Sequence, residues 1–462
     1  MREISVVSPI DGSVIARRPI AGPAELDRRI AAARDAQRDW RRTPLAERAD
    51  VCSRFADAMD AMRDDIVLEL ARQMGRPVRY GAGEVRGLLE RARTMVALAP
   101  DALADIEAAP ISGFRRFIRR EPLGVVFSVA AWNYPYLIAV NSVIPAILSG
   151  NSVLLKHSSQ TPLCAERFAA AFERAGLPPG VFQVVHTDHG GAEHLVSHPG
   201  IDYVAFTGSV SGGQAIQRAA RERFIATGLE LGGKDPAYVR ADADMDHAVE
   251  NVVDGAYFNS GQSCCAVERI YIHRSRFEEF VERAAALVRA YQVGNPLDAE
   301  TMLGPMVRGS AADGVRAQIA EALTRGARPL IGPGDFPEDV PGSPYLAPQL
   351  LVDVDHSMQI MSEETFGPVV GVMPVDSDSE AVALMNDSRY GLTASIWSRD
   401  VEHSLQIADD LETGTVFLNR CDYLDPALAW VGVKDSGRGC TLSRVGFEQL
   451  TRPKSFHFRL PT

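Results

Sequence analysis

Adjacent cysteines at 264 and 265, inside Phe258-Asn-Ser-Gly-Gln-Ser-Cys-Cys-Ala266, are the residues of this chain best suited to covalent chemistry. A thiol attacks carbon strongly only as its thiolate, so it needs a polarising surrounding. Neighbouring side chains on one backbone rarely enter the same site, so one sulfur is expected to react and the other to pack. The plainer alternative is two small buried hydrophobes, because free cysteine is among the most buried residue types. Upstream, Leu229-Glu-Leu-Gly-Gly-Lys-Asp-Pro236 sets a carboxylate before two glycines that let backbone approach a ligand. Phe206-Thr-Gly-Ser-Val-Ser-Gly-Gly213 joins a strand-like run to a helical one, and a helix start holds phosphate through free N–H groups. It lacks the Gly-x-Gly-x-x-Gly fingerprint and carries little weight alone. Histidines 186, 189, 194 and 198 crowd one stretch, with His194 and His198 four residues apart. Such a pair can bind a metal, but no Glu or Cys completes a known spacing, and no metal is expected.

Together, Phe-x-x-Gly-Gln-x-Cys and Glu-Leu-Gly-Gly-Lys, in the order found and with Glu230 and Cys264 34 residues apart, resemble the two signature motifs of the aldehyde dehydrogenase superfamily. The resemblance runs from Ser8-Pro9 to the final strand. It implies oxidation of a small-molecule aldehyde to a carboxylic acid with NAD or NADP. Cys264 is then the nucleophile, forming a thiohemiacetal and after hydride loss a thioester, and Glu230 is the general base for the hydrolytic water. Relatives that pass the acyl group to coenzyme A generally lack this glutamate, so the hydrolytic type is expected over an acylating semialdehyde dehydrogenase. A non-catalytic structural protein on the same fold is the other alternative, opposed by retention of Cys264, Glu230 and Asn133.

Ala131-Trp-Asn-Tyr-Pro135 resembles the family's Trp-Asn-aromatic-Pro motif. By that match the Asn133 amide and the Cys264 backbone N–H stabilise the oxyanion, each donor worth about 3 kcal/mol; unaided, Asn133 reads as a turn residue. The resemblance assigns cofactor contacts to Trp132, Gly208, Ser209, Gly213 and Gly232. In Glu363-Glu-Thr-Phe-Gly-Pro368 it assigns Glu364 to the nicotinamide ribose and Phe366 to packing by the ring. Lys156-His-Ser-Ser159 stands where the family usually has Lys-Pro-Ser-Glu. Lys156 is expected at the adenosine ribose, while Ser159 replaces the glutamate that clasps both ribose hydroxyls, so NADP is expected to be accepted as well as NAD. Tyr134, Leu137, Asn141, Phe258, Ser263 and Leu424 line up with substrate-tunnel positions. Succinate-semialdehyde enzymes tend to carry arginine where Asn141 stands, which favours a neutral or weakly polar aldehyde. Arg420-Cys-Asp-Tyr423 departs from commonly described members, at the tunnel mouth.

The whole chain must position these groups. At 462 residues it is too long for one ordinary core and suggests two or three domains. Hydrophobic content of 46% and charged content of 23% are those of a soluble globular protein. A net charge of −12 argues against nucleic acid or an anionic membrane as partner. Six cysteines without framework spacing point to a reducing compartment. The first residues lack the apolar core of a signal peptide, and the longest apolar stretch, 137–148, is too short to span a bilayer. A cytoplasmic location is expected.

Two short strands flank a turn at Pro9-Ile10-Asp11-Gly12, and helices are expected from Pro23, over 44–74 and, more broken, over 83–103. From Pro122 strands alternate with helices, the rhythm of a doubly wound parallel sheet whose ligands lie at the strands' carboxyl ends. A second α/β region follows Lys234, with helices expected over 242–251, 277–291, 311–323 and 378–387. The fold class is thus α/β: a Rossmann-like cofactor domain (1–104 and 123–232), a catalytic α/β domain (233–435), and a small β element (105–122 and 451–460). The resemblance implies that this last element joins subunits into a homodimer or homotetramer, which accounts for the basic run Phe114-Arg-Arg-Phe-Ile-Arg-Arg120.

Overall fold

The computed structural model describes residues 2–332 and 334–461. Strands β1 (Glu3–Val7) and β2 (Val14–Pro19) pair antiparallel across the expected turn, where Gly12 takes φ +74°. Helix α1 (Pro23–Trp40) starts on its proline and buries Leu26, Ile30, Ala33, Gln37 and Trp40, one face at helical spacing. The single helix expected over 44–74 is two: α2 (Leu45–Asp60) and α3 (Arg63–Met74). Met59, Met62 and Ile66 are all buried and keep helical spacing across the break, so periodicity does not reveal it. Both helices pack on α4 (Val78–Ala102), which begins earlier than expected and is continuous. It tolerates Gly81, Gly83 and Gly87, each about 1 kcal/mol worse than alanine in a helix interior. A Cβ at Gly81 would sit 2.9 Å from Val67 and one at Gly87 2.8 Å from Leu137, so close packing offsets that cost at these two.

After α4 comes a hairpin of β3 (Ile106–Glu107) and β4 (Phe114–Pro122). The last strand, Thr451–Arg459, adds antiparallel to β4 with Phe117 opposite Phe456, their rings stacked 4.6 Å apart. The first large sheet then forms from β5 (Val125–Ala130), helix α5 (Pro135–Leu148), β6 (Ser152–His157), helix α6 (Pro162–Arg174), β7 (Phe182–Val184), helix α7 (His189–Ser197), β8 (Tyr203–Thr207), helix α8 (Val210–Ala220) and β9 (Ala226–Glu230). The order is β9-β8-β5-β6-β7, all parallel, with Gly437–Arg438 antiparallel on the β9 edge. The chain leaves β5 toward β6 first and later returns beside it as β8. A crevice therefore opens between the carboxyl ends of β5 and β8, the place where such sheets bind ligands.

The second sheet begins with β10 (Asp235–Val239) and β11 (Val267–His273). Its order is 328–329, 349–352, 369–375, β11, β10, 393–397 and 415–418, parallel except for the first pair. Between β10 and β11 runs α9 (Met245–Tyr257), which starts three residues later than expected because Asp244 caps it, accepting from the His247 N–H, and which ends six residues later than expected. The three other helices expected in this region lie at Phe277–Arg289, Gly309–Thr324 and Asp378–Asn386. The molecule is α/β, and among the described residues no helix is long and apolar enough to cross a membrane.

Candidate active site

The segment that carries Cys264 and Cys265 leaves α9 through one tight turn, Phe258–Gly261, with Asn259 and Ser260 at φ +56° and Gly261 at +68°. Left-handed backbone is costly for residues with a Cβ and persists only where surroundings over-determine it. Here they do. The Asn259 amide donates to the carbonyls of Asn133 (3.2 Å) and Gln262 (3.1 Å), Gln262 Nε2 donates back to the Asn259 carbonyl, and Ser260 Oγ donates to Gly304. Gly261 lies against the Gly367 carbonyl, where no Cβ fits, and Gly233 lies equally close to the Cys264 carbonyl.

Arg76 ties this turn to the Asn133 loop. Buried at the end of α3, it donates to Asn259 Oδ1 (3.3 Å) and the Asn133 carbonyl (2.7 Å), pairs with buried Glu84, and lies 4.4 Å above the Tyr134 ring. Glu84 in turn accepts from the Tyr136 N–H at 2.9 Å. The sequence reading missed Arg76, Glu84 and Asn259. The buried pair sits eight residues apart at a helix junction, a spacing with no motif to advertise it.

Two cavities meet at Cys264. One, of about 430 Å³, is bordered by Tyr134, Leu137, Asn141, Phe258, Ser263 and Leu424, so the structure brings together all six residues expected to form the tunnel. The other, of about 380 Å³, occupies the β5–β8 crevice and is bordered by Trp132, Gly208, Ser209, Gly232, Glu364 and Phe366. Asn133, Thr207, Leu231 and Cys264 border both. Cys265 also reaches the first cavity, but it is buried, with Sγ donating to Asp422 Oδ1 at 3.0 Å. The adjoining Cys264 thiol and burial raise its pKa. Burial also pushes Asp422 up to about 6. Cys421 and Asp422, of the segment expected at the tunnel mouth, border this cavity, and the sequence had suggested no role for either.

Glu230 ends β9 at the edge of the first cavity. It accepts from Thr207 Oγ1 (3.0 Å) and from Thr441 Oγ1, and burial raises its pKa despite these bonds. Thr441, reached because 437–438 pairs with β9, was invisible in the sequence.

The second cavity has groups suited to the nicotinamide and phosphate part of a dinucleotide. The start of α8 opens on it, capped by Ser209 Oγ accepting from the Gly212 N–H. Glu364 packs so closely on Gly232 that a Cβ there has no room, and its Oε1 accepts from the Gly233 N–H at 3.2 Å. Burial, with Glu268 nearby, pushes Glu364 up to about 8. Phe366, at φ +54°, meets Trp132 edge-on at 5.6 Å. Its N–H and that of Thr365 donate to Glu268, which buried Lys234 neutralises at 2.8 Å. Lys234 of the Glu-Leu-Gly-Gly-Lys run is thus a strut for the 364–366 turn.

Three expected cofactor residues border neither cavity. Gly213 packs one turn into α8, where a Cβ would lie 2.7 Å from Leu231. Lys156 is the last residue but one of β6, half-buried, with Nζ 3.4 Å from the His157 carbonyl, and Ser159 is exposed on the following turn, one strand over from the crevice. His194 and His198 both face Asp27 of α1, at 2.6 and 3.7 Å, and His186 pairs with Glu166 at 3.0 Å.

Known proteins resemble this chain along nearly its whole length. Geranial dehydrogenase of Castellaniella defragrans is 36% identical over 443 residues, covering 95% of this chain and 92% of that protein. A solved NAD-dependent aldehyde dehydrogenase from Sinorhizobium meliloti superposes with TM-score 0.95 at 33% identity, over 100% of this chain and 92% of that one. An E. coli structure described as an NADP-dependent enzyme gives TM-score 0.96 at 28% identity, over 99% and 95%. The sequence profile described as the aldehyde dehydrogenase family matches residues 1–456, and with these relatives it shows that the chain belongs to the aldehyde dehydrogenase family.

Proposed function

We propose that the protein oxidises an aldehyde to its carboxylic acid with NAD or NADP, using Cys264 as nucleophile and Glu230 as the base for deacylation. The observation that carries this reading is that Cys264 borders both cavities, so a substrate in one and a nicotinamide in the other meet over its sulfur. Attack by Cys264 makes the carbonyl carbon tetrahedral, and the Asn133 amide and the Cys264 N–H are the donors for its oxyanion. A nicotinamide held by Glu364 and Phe366 would supply the acceptor for the hydride that leaves this carbon. Glu230, its pKa raised by burial, then takes a proton from water as that water attacks the thioester. Glu364 and Phe366 would hold the ribose and ring, with Trp132, Gly208, Ser209 and Gly232 lining the rest of that cavity; Gly213 would serve from behind it, by letting α8 pack closely on Leu231, and Lys156 with Ser159 would serve the adenosine ribose beyond it. A glutamate bordering the substrate cavity favours hydrolysis over acyl transfer to coenzyme A.

The first sheet with residues 1–104 and 123–232 is the cofactor part, 233–435 the catalytic part, and the three-stranded sheet of 105–122 and 451–460 the subunit joint. Support for the joint is an unpaired outer edge on the nine-residue strand Thr451–Arg459, which soluble proteins cover or blunt. A homodimer or homotetramer follows. Six free thiols favour a reducing, cytoplasmic setting. The test is a panel of aldehydes scored by absorbance of reduced nicotinamide with each cofactor. Activity that is abolished in Cys264→Ala supports the reading, and activity that survives refutes it.

A further inference from the structure

Arg91 stands out among the buried cations. It is 7% exposed and borders the substrate cavity, yet makes no ion pair among the described residues. Its Nη1 carries both of its hydrogen bonds, to the Leu137 carbonyl (2.9 Å) and Asn141 Oδ1 (3.2 Å). Among the described residues Nε and Nη2 have no acceptor, and neither belongs to the polar atoms that are both unbonded and sealed from solvent. Their edge therefore opens on the cavity. The other buried cations are satisfied: Arg76 by Glu84, Lys234 by Glu268, and Arg269 by the carbonyls of Lys234, Leu384 and Met385.

The free edge has a definite chemistry. Nε and Nη2 present two parallel N–H groups that match the two oxygens of a carboxylate. Arg240 does this within the same protein, gripping Asp378 through Nε at 3.0 Å and Nη2 at 3.1 Å. The cavity leads to Arg91 along one helix face, where Gly83 and Gly87 precede it at four-residue steps and present no side chain. A Cβ at Gly83 would meet only Arg86 Nη2, at 3.6 Å, so that part of the face is open. Glu230 and Glu90, which also border the cavity, attract the Arg91 guanidinium across space, but no carboxylate among the described residues lies close enough to pair with it. Glu230 accepts from two threonines, Asp422 from Ser263 and Cys265, and neither pairs with the guanidinium.

We propose that Arg91 is the specificity-determining residue of the substrate cavity, receiving through Nε and Nη2 a carboxylate at the far end of the aldehyde. This rests on the aldehyde-oxidation reading above and narrows it to ω-carboxy aldehydes. It reverses the expectation of a neutral substrate, because a cation reaches Asn141 from another helix instead of standing at that position. Burial of an unpaired charge is expensive, and a bound carboxylate supplies the missing partner.

The test compares 4-oxobutanoate with butanal, equal in carbon count, one ending in a carboxylate and the other in a methyl group. The wild type should favour the anion in kcat/KM by about tenfold or more, as a charged hydrogen-bonded pair gives. Arg91→Gln should bring that ratio near unity, and Arg91→Lys should restore part of it. A wild type indifferent to the charge, or a ratio that survives Arg91→Gln, overturns the proposal. Binding is read separately by alkylation of Cys264 with iodoacetamide, followed by mass spectrometry. Succinate should slow alkylation of the wild type and uncharged succinamide should not; equal effects of the two overturn the subsite even if the variants fail to fold. Reduction of neither cofactor with either aldehyde refutes the oxidation reading instead, and succinate protection then still decides on the Arg91 subsite.

Discussion

Cofactor affinity should rise with pH through the titration of Glu364. Its carboxyl is held at about 8 by burial and by the neighbouring Glu268, against the usual carboxylate value of 4.5. The ribose hydroxyls it is proposed to hold are donors, which an ionised carboxylate accepts on both oxygens and a protonated one accepts less well. At pH 7 only about one molecule in ten has the ionised form, and at pH 9 about nine in ten do. If that form is the competent one, the apparent Kd falls about tenfold between these pH values, worth roughly 1.3 kcal/mol. The sign is fixed: deprotonation favours binding, so log Kd declines below the pKa and levels above it. Quenching of tryptophan fluorescence on titration with NAD measures this, since Trp132 borders the cofactor cavity. Glu364→Gln should bind weakly at all pH values with a flat profile. A flat wild-type profile from pH 6 to 9, or a sloping one in Glu364→Gln, refutes the assignment.

Glu230→Gln should accumulate a covalent acyl adduct on Cys264, visible by intact-mass spectrometry after aldehyde and cofactor are added; fast turnover without an adduct contradicts its role. Ser159→Glu should shift the NAD to NADP efficiency ratio toward NAD by about tenfold, since a carboxylate accepts from ribose hydroxyls and repels a 2′-phosphate. An unchanged ratio removes Ser159 from the ribose site. Arg76→Met leaves Glu84 buried without its cation and should cost about 3–5 kcal/mol, lowering the thermal midpoint. Light scattering should report a dimer or tetramer, and an active monomer contradicts the role given to 451–460.

How far the sequence reached differs between elements for physical reasons. Strand–helix alternation over 125–230 was readable because each element carries its own period, and buried parallel strands are continuous apolar runs. The break between α2 and α3 was not, because Met59, Met62 and Ile66 keep one helical phase across it. It exists so that both helices can pack on α4, which is a tertiary demand.

By itself the sequence determined the chemistry available: a thiol, a carboxylate and an amide in local motifs, where neighbours along the chain define each environment. The tertiary structure decided which atoms face one another. Gly233 and Gly261 let the Cys264 loop close against backbone, and sheet order set the crevice between β5 and β8 beside it. Arg91 comes within 3.2 Å of Asn141 although fifty residues separate them. A side chain's partners across such a distance follow from packing of α4 on α5, and no local spacing encodes them.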